Sequence, residues 1–82
     1  MESYIRLIYT SNMTKLSNNH LVINKIIHKS YSNNLNNFIN GKLIWTKDDS
    51  SIIQILEGTS EKIHALFEYI KTDNRHYNIT VL

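Results

Sequence analysis

The chain has no cysteine and no proline, only two glycines and a single tryptophan among its 82 residues. Without cysteine there is no disulfide framework and no thiolate zinc site to brace a small fold, and nothing points to secretion. No apolar stretch approaches the roughly 18 residues that cross a bilayer, and the N-terminus lacks the layout of a signal peptide. A soluble, intracellular, cytoplasmic protein is therefore expected. Neither sign of charge dominates: nine Lys and Arg against seven Asp and Glu leave +2. The basic residues are scattered, which is a weak nucleic-acid signal. Their one concentration, Lys25, His28 and Lys29, is read as a solvated helix end. The histidines, His20, His28, His64 and His76, show no ligand spacing with carboxylates, so no metal site is expected.

What is present allows one domain, residues 1–82, with one core. At this length a fold buries only roughly 60–65% of its unfolded surface, so its stability is marginal. Residues 4 to 11, YIRLIYTS, alternate as a strand, with Ile5, Leu7 and Tyr9 on one face and Tyr4, Arg6 and Ile8 on the other. Ser17 is a candidate N-cap for a helix over 17–31, whose stripe is Leu16, His20, Ile23, Ile26, Ile27 and Ser30. The asparagine-rich SNNLNN is expected to end it. Strands over 38–46 and 51–57 flank KDDS, which has the chemistry of a hairpin turn. After Gly58, Thr59 or Ser60 caps a helix with Ile63, Leu66, Phe67 and Ile70 at helical spacing, Glu61 in its first turn and Lys71 in its last. NITVL supplies a last strand. The order βαββαβ predicts an α+β, ferredoxin-like fold, a four-stranded antiparallel sheet with both helices on one face.

The run SIIQILEG, residues 51 to 58, places Gln54 in the middle of a strand of Ile and Leu. A buried amide without a partner costs on the order of 1–3 kcal/mol, so something should hydrogen-bond it. Alternation allows Tyr9 and Gln54 to face the helices from neighbouring strands, one and three, and to share a pocket. Asn33 and Asn34, on the route back into the sheet, could add donors and acceptors, and a planar polar ligand between the helices would satisfy all four. Each residue also has a plainer role: Tyr9 as a strand-end aromatic, Gln54 in a structural polar cluster, Asn33 and Asn34 as helix terminators, Ile26 and Ile70 as core.

Taken together, RLIYTS, the pair Asn33-Asn34 with Ile39-x-Gly41 after it, QILEG and DNRHYNITVL resemble the BLUF domains, blue-light sensors that hold a flavin between two helices. These pieces span nearly the whole chain in the family's order. The resemblance implies that Tyr9 is the tyrosine that donates an electron and a proton to the excited flavin. Gln54 is then the glutamine whose hydrogen bonding to the flavin changes, giving a small red shift. Asn34 would bond the polar edge of the isoalloxazine, with Asn33 in the adjoining contact position. Ile26 and Ile70 would sandwich the ring, and Arg75 and His76 match the family's RH pair. The implied cofactor is FAD, with FMN possible.

The chain departs from the family at several positions. Phe38 replaces the usual glycine before the second strand, Asn40 the usual threonine, and Lys42 an apolar residue, and the hairpin after that strand is longer. The family's usual fifth strand and C-terminal helices have no counterpart, so a minimal form is expected. Ile8, Ile53 and Ile55, with Tyr4 nearby, then leave an apolar patch on the back of the sheet, which predicts a homo-oligomer joined back to back or by a sheet edge, or a protein partner. Two functional readings follow. One is a flavin photoreceptor whose output is self-association or a partner protein. The other is a BLUF-like fold that has lost light sensing and works as a small interaction protein, with Phe38 intruding on the pocket. No enzymatic activity is expected, because the phosphate-cradling Arg loop of an acylphosphatase is missing near the first strand.

Overall fold

Alternating side chains, two amphipathic helices and a tight hairpin assemble into β1 (Tyr4–Met13), α1 (His20–Asn36), β2 (Asn40–Thr46), β3 (Ser51–Thr59), α2 (Ser60–Lys71) and β4 (His76–Val81). This is a computed structural model; it describes residues 3–36 and 38–82, with 31–36 described by their backbone alone. The strands form one antiparallel sheet in the order β2-β3-β1-β4, the ferredoxin-like arrangement predicted from the element order. β1 and β3 are therefore the two interior strands, in register from Tyr4 opposite Thr59 to Asn12 opposite Ser51.

The core lies between the sheet and the helices. Tyr9 and Met13 of β1, Ile52 and Leu56 of β3, Ile23 of α1, Ile63 of α2 and Ile39 form one buried cluster. α2 packs close at Gly58, where a Cβ would stand 3.3 Å from both Ile39 Cγ1 and Ile63 Cδ1. Among the described residues no helix is long and apolar enough to cross a membrane.

The element boundaries differ from expectation where a local side-chain bond decides them. α1 starts at His20 rather than at residue 17, because Asn19 Oδ1 accepts the Val22 amide at 3.0 Å and takes the N-cap role. Leu16, expected on the helical stripe, precedes the helix and is 90% exposed. The backbone stays helical to Asn36, through the asparagines expected to end it. Their propensity penalty is a few tenths of a kcal/mol each, too little to stop a helix held by packing on the sheet. Lys25, His28 and Lys29 accordingly lie inside α1 and not at its end.

β2 begins at Asn40 rather than at 38, because Phe38 has φ 57°, a left-handed conformation outside regular strand geometry. Its ring is 82% exposed, with Lys62 Nζ 5.0 Å from the centroid. The turn after β2 closes through Ser50 N–H to the Lys47 carbonyl at 3.1 Å, as KDDS implied. β4 begins at His76, two residues before NITVL, and carries a bulge. Thr10 pairs with Thr80 and Asn12 with Tyr77, so β4 has one more residue than β1 between these pairs. Asn78, at φ 58°, absorbs it. The bulge lets His76 and Ile79 both turn toward the helix side.

Candidate functional site

Tyr9 and Gln54 are direct cross-strand partners at the centre of the sheet. Odd-numbered positions of β1 and even-numbered positions of β3 face the helices, so both side chains project from the same face and touch. The Tyr9 hydroxyl donates to Gln54 Oε1. Exposures of 2% for Tyr9 and 6% for Gln54 leave this bond almost without solvent. It supplies the partner that the buried amide requires. Burial pushes the Tyr9 phenol well above its ordinary range, and the Asp73 carboxylate adds to the shift. The hydroxyl is therefore a fixed donor. Among the described residues no protein group takes the Gln54 Nε2 protons, although the residue lines a cavity.

That cavity has a volume of about 360 Å³ and opens between the two helices. Its floor is the Tyr9–Gln54 pair with Ile52 and Leu43 of the sheet, and its walls are Ile26 of α1 and Ile70 with Leu66 of α2. Asp73, Asn74 and Arg75 of the loop after α2, with His76 at the start of β4, form the rim. Of the expected site residues, Tyr9, Gln54, Ile26, Ile70, Arg75 and His76 thus converge on one space. The side chains of Asn33 and Asn34 lie outside the described residues.

The two rim residues are held by their neighbours. Arg75 pairs with Asp73 through Nε to Oδ1 at 2.9 Å and Nη2 to Oδ2 at 2.5 Å. This fork holds the Asp73 carboxyl below the usual carboxylate range and raises the Arg75 guanidinium. His76 bridges three elements. Its Nε2–H donates to the Ile70 carbonyl at 2.9 Å, so its Nδ1, 2.7 Å from Ser11 Oγ, accepts from that hydroxyl. The ring also stands edge-on to Tyr9, with centroids 6.4 Å apart. Sequence reasoning missed Asp73, Ser11 and Tyr69. Asp73-x-Arg75 in a loop and Ser11 two residues from Tyr9 on the same strand face were the available signals. Tyr69, which borders the cavity from α2, had none. Phe38 is not among the cavity's lining residues. Among the described residues no group of three His, Asp or Glu is placed to hold a metal.

The family model described as BLUF, sensors of blue light using FAD, matches residues 4–82. The chain belongs to the BLUF family. Solved structures agree with this membership. BlsA in its photo-activated state is 34% identical with a TM-score of 0.89, over 98% of this chain and 56% of that one. A bacterial light-regulated adenylyl cyclase is also 34% identical with a TM-score of 0.91, over 98% of this chain and 22% of that one. Klebsiella pneumoniae BlrP1, solved with FMN and cyclic diGMP, is 29% identical with a TM-score of 0.84, over 96% of this chain and 20% of that one. No curated protein sequence matches significantly. The chain thus spans just over half of the BlsA chain and about a fifth of the other two. The family is described as sensors of blue light, and the one enzymatic name among these three structures, adenylyl cyclase, belongs to a chain of which this one covers 22%.

Proposed function

We propose that this BLUF domain binds a flavin in the cavity between α1 and α2 and responds to blue light through Tyr9 and Gln54. One observation carries the reading: the only side-chain bond of the buried Gln54 amide is to Tyr9, among the described residues, and both groups line a cavity of about 360 Å³. That volume falls within the roughly 300–1,000 Å³ of small-molecule sites. The donor set fits a flat heterocycle. Ile26 and Ile70 offer apolar walls from opposite helices, and Gln54 Nε2 has protons to give to the ring's acceptor edge. The cofactor supplies the absorption of blue light and the oxidising power of its excited state. Tyr9 supplies an electron and a proton, Gln54 receives the proton's hydrogen bond and rearranges, and the aliphatic walls keep water out. FAD is the proposed form, from the family's description, with FMN accommodated. Asn33 and Asn34 are proposed as further contacts to the polar edge, while Arg75 and His76 shape the rim. One of the two grounds for the alternative, a small interaction or regulatory protein that has lost light sensing, is intrusion of Phe38 on the pocket, and the exposed Phe38 is not among the residues lining it. The test is optical: protein loaded with flavin is expected to be yellow and to shift its absorption to longer wavelength under blue light. A protein that cannot be loaded, or that is loaded and light-inert, defeats the reading.

We further propose that the domain acts in the cytoplasm and signals through self-association or a partner protein at the back of the sheet. Ile8 pairs with Ile55, and Ile44 pairs with Ile53, across adjacent strands. The four side chains therefore form a continuous apolar stripe, with Ile44 and Ile53 exposed, and the Arg6–Glu57 ion pair separates it from Tyr4. Lys42 opposite Ile55 and the Arg6–Glu57 pair place charges at its margin. Sedimentation at micromolar concentration is expected to show a dimer or larger; a monomer in the dark and under illumination removes self-association as the output.

A further inference from the structure

Two phenols border the cavity among the described residues, in opposite surroundings. Tyr9 is buried in the floor with its hydroxyl committed to Gln54. Tyr69, on α2 beside the wall residue Ile70, is 62% exposed and stands at the opening. Both residues line the same space, one from its floor and one from its edge.

We propose that Tyr69 is a second one-electron donor to the excited flavin, competing with Tyr9 and lowering the yield of the red-shifted state. The proposal rests on flavin binding as stated above. In the competing step one electron leaves the Tyr69 phenol and reduces the excited ring by one electron, and the hydroxyl proton passes to water, leaving a neutral tyrosyl radical on α2. The fate of the proton distinguishes the two donors. At Tyr9 it has Gln54 Oε1 as its acceptor between two buried side chains, so it stays available and the hydrogen bonds around the ring can rearrange. At Tyr69 it exchanges with bulk water, and the Tyr9–Gln54 bond is left unchanged. Oxidation at the rim therefore consumes excitation without throwing the switch.

Flavin-loaded protein, Tyr9→Phe, Tyr69→Phe and the double variant are compared by time-resolved fluorescence of the bound flavin. Nitration of Tyr69 is read separately by mass spectrometry, with and without riboflavin, in the dark. Tyr9→Phe is expected to retain part of the quenching, and the double variant to lose that remainder. Tyr69→Phe alone is expected to raise the yield of the red-shifted state, and riboflavin to protect Tyr69 from nitration. The proposal is overturned if Tyr9→Phe fluoresces as long as the double variant, or if nitration is the same with riboflavin bound. A protein that takes up no flavin in a titration overturns both this proposal and the reading beneath it, whereas normal uptake with either of the preceding results overturns this one alone.

Discussion

Tyr9→Phe protein is expected to keep its fold and its flavin and to lose the light-induced red shift completely. The substitution removes one oxygen. The remaining ring still fills its place in the core, 5.6 Å from Phe67 and 6.4 Å from His76 between centroids. Flavin affinity should change little, because the apolar walls come from Ile26 and Ile70. What disappears is the donor to Gln54 Oε1 and the source of the proton. An unpartnered buried carbonyl costs on the order of 1–3 kcal/mol, which a domain with roughly 5–15 kcal/mol in total survives. Denaturant unfolding should thus show a modest loss while absorption difference spectra show no shift at all. A variant that still shifts removes Tyr9 from the photochemistry.

Leu56→Ala is expected to be the most damaging single truncation for stability. Leu56 has no exposed surface and sits on an interior strand between Leu7 and Gly41. Strands on both sides prevent the sheet from collapsing into the vacated space. Burial of this kind puts the loss in the upper part of the roughly 2–5 kcal/mol seen for leucine-to-alanine changes in cores. For 82 residues that is a large share of the whole, since small domains bury proportionally less surface. Urea unfolding gives the difference directly from the shift in midpoint at unchanged slope. A loss below about 1 kcal/mol would show that the helices can settle onto the sheet and fill the gap.

The sequence was most legible where one periodicity governs a segment. Strict alternation through YIRLIYTS put Tyr9 on the helix side, and the same rule in SIIQILEG put Gln54 there. The order of elements then made their strands neighbours. Side-chain capping and single-residue conformations were not legible from pattern. Asn19 rather than Ser17 begins α1 because the amide oxygen beside the first turn captures the Val22 N–H, a choice between two good caps that spacing does not make. The bulge at Asn78 depended on one residue adopting positive φ. An asparagine inside a short strand was its only sign. Arg75, expected as part of the family's RH pair among the cofactor contacts, lines the cavity with its fork engaged by Asp73, a contact two residues away in a loop where no period applies.

The donor and acceptor of the proposed switch stand on adjacent interior strands tied together from Tyr4–Thr59 to Asn12–Ser51. Each of these strands has a further neighbour outside it. Two posts set in one stiff frame cannot slide past each other without tearing the ladder that holds them. Any response of the proposed switch is therefore confined at first to side chains, and it reaches the rest of the molecule through the groups that touch the pair, Phe67 and His76 beside Tyr9.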